Sequence, residues 1–91
     1  MGLYLMFGKY SPDSVQDISS ERTDKAYEVI KNNGGNVKDG YALLGSSDLL
    51  FIVEFPDTAN AVKTSVDMSK KFGISFATTP AVTIEEFDKM V

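Results

Sequence analysis

The sequence predicts an α+β fold, one four-stranded antiparallel sheet with helices on a single face. Three observations carry this. Gly2 to Lys9 and Leu49 to Phe55 are apolar on both alternating faces, as strands covered above and below must be. Glu21 to Asn33 and the stretch from Asp57 to about Phe72 instead carry apolar residues at helical spacing. The resulting order of strand, helix, strand, strand, helix, strand and short helix is the split βαβ, or ferredoxin-like, arrangement.

The first strand alternates Leu3, Leu5 and Phe7 on one face with Tyr4, Met6 and Gly8 on the other. Ser11-Pro12 fits an N-cap followed by proline at the first helical position, so a short helical turn is expected as far as Ile18. Ser19-Ser20 offers a second cap for the helix Glu21 to Asn33. Its inward stripe is Ala26, Ile30 and Asn33, with Tyr27 and Val29 beside them, and Glu21 and Lys25 form an i,i+4 pair outside. Gly34-Gly35 ends it, because glycine takes the left-handed C′ position cheaply.

Asn36 to Leu44 reads as the second strand, with Val37, Asp39, Tyr41 and Leu43 on one face. Gly45 to Asp48 is the hairpin turn and Leu49 to Phe55 the third strand. Pro56 stops that strand and Asp57 caps the next helix. Val62, Val66, Ser69 and Phe72 form its expected inward stripe, with Lys63, Asp67 and Lys71 as i,i+4 partners. After Gly73, Ile74 to Thr79 is the fourth strand, closed by Pro80. Thr83-Ile84-Glu85-Glu86 is a capping box that starts a last helix running to Met90.

In this arrangement the first and third strands are expected at the centre, parallel to each other. The second and fourth take the edges, which suits their Lys38, Asp39, Ser75 and Thr79. Helices cover only one face. The other, roughly 300 Å² in extent, would carry Tyr4, Met6, Leu50 and Ile52 or their opposite set. An apolar face of that size marks an interface, so a homodimer packed sheet to sheet is expected, with higher assembly open.

Composition excludes much chemistry. The 91-residue chain has neither Cys nor His, which removes disulfides, thiolate nucleophiles, most zinc sites and the Ser–His–acid triad. Net charge is −4 and Arg22 is the lone arginine, so nucleic acid and anionic membrane are not expected partners. Met1 to Phe7 is too short for a signal peptide, Met6 breaks a myristoylation motif, and no apolar run approaches the ~20 residues of a membrane span. A soluble cytoplasmic protein of one domain, without metal or cofactor, is expected.

The opening Leu3-Tyr4-Leu5-Met6-Phe7-Gly8-Lys9-Tyr10-Ser11, the Gly34-Gly35-Asn36-Val37 turn, Leu44-Gly45-Ser46-Ser47-Asp48 and the ending Thr78-Thr79-Pro80-Ala81-Val82-Thr83 together resemble the GYD domain family over nearly the whole chain. The resemblance implies a ferredoxin-like fold of the dimeric α/β-barrel type, in small bacterial or archaeal proteins, and implies little chemistry. Gly45 and Asp48 match the family's Gly-Tyr-Asp turn, while Ser47 stands where the tyrosine would be.

The candidate residues each have two readings. Asp48 is a carboxylate at a cavity mouth or, more plainly, a turn residue. Glu54 shares a face with Leu50 and Ile52, so it is a general acid or base inside a barrel or a strand-end carboxylate reaching solvent. Tyr4 and Tyr41, with Met6, would contact a ligand from inside the barrel, or the tyrosines are simply buried with a partner. Asp17, Glu21, Asp24 and Glu28 read as a solvated helix face interrupted by lysines rather than a cation site.

The leading function is a binding or regulatory module whose dimer encloses a small apolar or aromatic metabolite near Tyr4, Met6, Tyr41 and Glu54. The alternatives are a cofactor-independent isomerase or monooxygenase with Glu54 or Asp48 as base, by analogy of fold alone, and a purely structural assembly domain. A cavity of roughly 300 Å³ holding a tyrosine hydroxyl together with Glu54 would favour chemistry.

Overall fold

The computed structural model describes residues Met1–Val91. Its strands are β1 (Gly2–Tyr10), β2 (Asn36–Ala42), β3 (Leu49–Phe55) and β4 (Ile74–Ala81); its helices are α1 (Pro12–Val15), α2 (Ser20–Asn32), α3 (Thr58–Phe72) and α4 (Ile84–Met90). The four strands form one sheet in the order β2-β3-β1-β4, so the two strands apolar on both faces are indeed central.

All three pairings are antiparallel, including β1 with β3, which were expected to run parallel. Counting reversals gives the reason. The return through α2 makes β2 run with β1, and the hairpin at Gly45 (φ 139°) turns β3 against both. Gly45 supplies a positive φ that a residue with a side chain would resist.

The register assigns the faces. Tyr4, Met6 and Gly8 lie opposite Val53, Phe51 and Leu49 and face the helices. Leu3, Leu5 and Phe7 lie opposite Glu54, Ile52 and Leu50 on the uncovered face. Tyr4 and Met6 are therefore back to back with Leu50 and Ile52, not beside them. A bulge at Lys38 shifts β2, so Val37 pairs with Val53 on the covered side while Asp39 and Tyr41 pair with Ile52 and Leu50 on the open side. The expected common face of Val37, Asp39 and Tyr41 does not survive that extra residue. Strand β4 continues through Pro80, which an edge strand tolerates because its outward amide needs no ladder partner.

The core lies between the covered face and the helices. Tyr4, Met6, Phe51, Val53 and Phe55 from the sheet meet Ala26 and Ile30 of α2 and Ala61 and Met68 of α3. Helix α3 is turned from its expected orientation. Ala61, Thr64 and Met68 are buried, while Val62 and Val66 are exposed. Small side chains let the helix approach a sheet already filled by aromatic rings, and the valines are left at its flank. The caps are those expected. Ser11, Ser19, Asp57 and Thr83 each accept a backbone N–H of their helix, at Ser14, Arg22, Asn60 and Glu86, and Gly73 (φ 68°) ends α3. Helix α1 stops at Val15, three residues before Ile18.

Helix α4 buries nothing. Ile84, Phe87 and Met90 line one side of it and all three are exposed. The chain is correspondingly long in shape, 45 × 29 × 19 Å. Its accessible surface of 5870 Å² exceeds the roughly 5,200 Å² that size scaling gives a folded monomer of this mass. No helix is long and apolar enough to cross a membrane.

Candidate functional site

Beneath the N-terminal half of α2 the core does not close. A cavity of about 210 Å³ opens there between the helix and the β2–β3 end of the sheet. Ala26 and Tyr27 of α2 form its roof, Leu49 and Phe51 its floor, and Met68 and Ile74 its inner end, with Ile18, Arg22 and Thr23 near the mouth. Ten of the thirteen lining residues are hydrophobic, and none is an Asp or Glu.

Local structure explains the gap. Gly40, on β2, offers no side chain, and the Tyr27 phenol lies over its backbone. A β-carbon at Gly40 would collide with the Tyr27 hydroxyl and press on the Phe51 ring. Tyr27 instead packs edge-on against Phe51, centroids 5.4 Å apart and planes at 71°.

The polar groups around the cavity are unlike those elsewhere in the molecule. Tyr10 and Tyr27 line it, partly buried, with hydroxyls that make no protein hydrogen bond and are open to water, whereas the Thr23 hydroxyl donates to the Ser19 carbonyl at 3.2 Å and the Tyr4 hydroxyl lies 2.9 Å from Thr58 Oγ1. Arg22 is half-buried. Its Nη1 donates to the carbonyl of buried Ser14, and its guanidinium lies 5.2 Å from the centre of the Tyr10 ring.

Asp48 holds one wall in position. Its Oδ2 accepts the amide of Tyr10 at 2.9 Å, its own amide donates to the Gly8 carbonyl at 2.8 Å, and its carbonyl accepts Leu43 N–H at 2.8 Å. The turn carboxylate therefore pins the end of β1, from which the Tyr10 ring projects. It does so through space to another strand, not by closing its own turn.

The other residues singled out from sequence are dispersed. Tyr4, 6% exposed, packs edge-on to Phe55 with centroids 5.6 Å apart, and Met6 is wholly buried in the core. Tyr41 reaches the rim of the cavity from β2 but is 49% exposed. Glu54 lies on the uncovered face, 3.8 Å from Lys38 Nζ and accepting from Asn36 Nδ2 at 3.3 Å. Glu54 lines neither apolar cavity, so it does not converge with a tyrosine hydroxyl as an acid–base site would require.

A second apolar cavity, of about 260 Å³, lies between α3 and β4 against Tyr4, Val62, Val66 and Phe76. Its polar atoms are satisfied internally. Tyr4 meets Thr58, and Ser65 Oγ lies 2.7 Å from Thr78 Oγ1. Sequence reasoning missed Arg22, Tyr27, Tyr10 and Gly40 as a group. The available signal was that a single arginine stands five residues before a tyrosine predicted to face inward.

Comparison with known proteins agrees with this fold. The GYD domain family model matches residues 4–91. Among solved structures, the leucine response regulatory protein LrpA of Mycobacterium tuberculosis is similar with a TM-score of 0.58 at 8% identity, over 90% of this chain and 51% of that one. The chain thus spans about half the length of that neighbour, and at this identity the likeness concerns the fold alone. No curated protein matches.

Proposed function

This protein belongs to the GYD domain family, and from that premise we propose that it is a homodimeric module that binds a small apolar or aromatic metabolite in the cavity beneath α2. One observation carries the reading: a cavity with ten hydrophobic residues among its thirteen, and a single arginine at its edge. Concave apolar walls with a few convergent polar groups are the usual form of a small-ligand site.

The same walls favour binding over acid–base catalysis, because they contain no carboxylate. In this reading Tyr41 keeps a place at the rim. Tyr4 and Met6 belong to the core, Asp48 positions the Tyr10 wall, and Glu54 belongs to the subunit contact.

The dimer is supported by what the monomer leaves open. Leu3, Leu5, Phe7, Leu50 and Ile52 share the uncovered sheet face, half-buried with no helix over them. A seven-residue helix such as α4 gains little stability in isolation, so its apolar stripe needs a surface to lie on.

Native mass spectrometry of protein purified from its own cells tests both parts. A dimer carrying a small organic molecule is expected. A bare monomer at micromolar concentration would contradict the proposal.

A further inference from the structure

We infer that the ligand of the cavity is a monocarboxylate with a compact apolar body, and that Arg22 is the residue that selects it. This rests on the binding reading of the cavity and adds the charge of the ligand to it.

No carboxylate oxygen lies within 4 Å of the Arg22 guanidinium. Arg22 is the single arginine in a chain with 13 carboxylates. Lys25, Lys38, Lys63 and Lys89 lie within 4 Å of a carboxylate; Arg22, Lys9, Lys31, Lys70 and Lys71 are in no such pair, and of these five Arg22 alone is partly buried. A half-buried guanidinium has lost part of its hydration, and in a protein that loss is ordinarily offset by an anion. Here one N–H donates to Ser14 and the cation rests on the Tyr10 ring, leaving the remaining donors without protein acceptors.

Those two contacts also fix the side chain before any ligand arrives. An arginine held by a carbonyl on one side and an aromatic face on the other loses little rotamer freedom on binding. Its planar fork matches the two oxygens of a carboxylate. Tyr10 and Tyr27, whose hydroxyls have no protein partner, line the same cavity. Behind them the space is bounded by Ala26, Phe51, Met68 and Ile74, so the remainder of the ligand must be apolar. One cation in a chain of net charge −4 suits a singly charged carboxylate better than a phosphate dianion.

The test is isothermal titration calorimetry on the full chain with phenylacetate, its neutral counterpart phenylacetamide, and phenyl phosphate. Phenylacetate is expected to bind at least tenfold more tightly than phenylacetamide. Arg22→Gln is expected to weaken phenylacetate by roughly ten- to a hundredfold while leaving phenylacetamide within about twofold. If Arg22→Gln lowers the melting temperature, Arg22→Lys carries the test. It keeps the charge, loses the fork, and is expected to weaken phenylacetate alone, by several-fold. Equal affinity for the acid and the amide, or indifference to Arg22→Gln, would overturn the carboxylate assignment and leave the apolar cavity reading standing. Tighter binding of phenyl phosphate than of phenylacetate would overturn it too. Failure of all three compounds to bind would overturn both.

Discussion

The two ends of the layer between helices and sheet are built differently. Under α3 and the C-terminal half of α2, Phe55, Val53, Ile30 and Met6 are wholly buried, and the cavity of about 260 Å³ between α3 and β4 lies at the flank of that packing. The polar atoms there are paired: Tyr4 with Thr58, Ser65 with Thr78, and Asn33 with Asp67 and Lys63. Under the N-terminal half of α2 the packing opens into a cavity, where the Tyr10 and Tyr27 hydroxyls make no protein hydrogen bond and are open to water, and Arg22 meets only the Ser14 carbonyl and the Tyr10 ring. Both ends are lined by aromatic rings, so hydrophobicity does not distinguish them. Polar saturation does. A core settles its hydrogen bonds internally, whereas the groups at the cavity are open to water and free to a ligand that displaces it.

The contrast can be broken by measuring stability at each end. Phe55→Ala should cost about 3–5 kcal/mol by urea denaturation, because it empties a closed core. Ile18→Ala, at the mouth of the cavity, should cost under about 0.5 kcal/mol. Comparable losses would make the two ends one core. Charge on the uncovered face addresses the dimer. Ile52→Glu should weaken association by about 2–4 kcal/mol, seen as monomer in sedimentation at micromolar concentration. A dimer that survives it would move the interface elsewhere.

Hydroxyl deletions sharpen the comparison on a finer scale. Tyr4→Phe leaves Thr58 without its partner and should cost about 1 kcal/mol. Tyr27→Phe removes a hydroxyl with no protein partner and should leave the unfolding midpoint nearly unchanged. The reverse order of effects would place the satisfied end at the cavity.

The smallest effect concerns the polar seam between α2 and α3. Hydrogen bonds from Lys63 and then Asn33 hold the Asp67 carboxyl below its ordinary 3.8. A folded-state value below the unfolded one contributes stability above the unfolded value, and that contribution disappears as pH falls through the folded one. The Asp67 side chain is 35% exposed, and screening by water keeps the change small. Urea midpoints measured from pH 6 downward should show it in the native chain, and Asp67→Asn should flatten that part of the profile.

The fold was legible where a single physical signal decided it. Strands β1 and β3 announce themselves because both faces are apolar, and the caps at Ser11, Ser19, Asp57 and Thr83 because short polar side chains precede helical runs. What escaped depended on packing partners distant in sequence. Val62 and Val66 are more hydrophobic than Ala61 and Thr64, yet the sheet's rings leave room only for the smaller pair. The bulge at Lys38 has no sequence mark, and it alone reverses the faces of Asp39 and Tyr41. Asp48 was legible as a turn residue but not as the acceptor for Tyr10, since that bond spans 38 positions. The cavity was least legible. Tyr27 reads as part of the inward stripe and Arg22 as a lone cation. Only the folded chain shows that Gly40 lies under the Tyr27 ring and that no carboxylate comes within 4 Å of Arg22, although Asp17 and Glu21 line the same outer groove.

The claim that the unsaturated end is a ligand site can be tested through methionine methyl groups. The chain has four methionines, Met1, Met6, Met68 and Met90, and of these Met68 alone lines the cavity. Protein labelled with 13C at the methionine methyls would be titrated with phenylacetate and followed by NMR. A saturable shift of the Met68 methyl, with Met1 and Met90 unmoved, is the expected result. A Met68 resonance that stays in place, or a shift confined to Met90 on the exposed stripe of α4, would contradict the account.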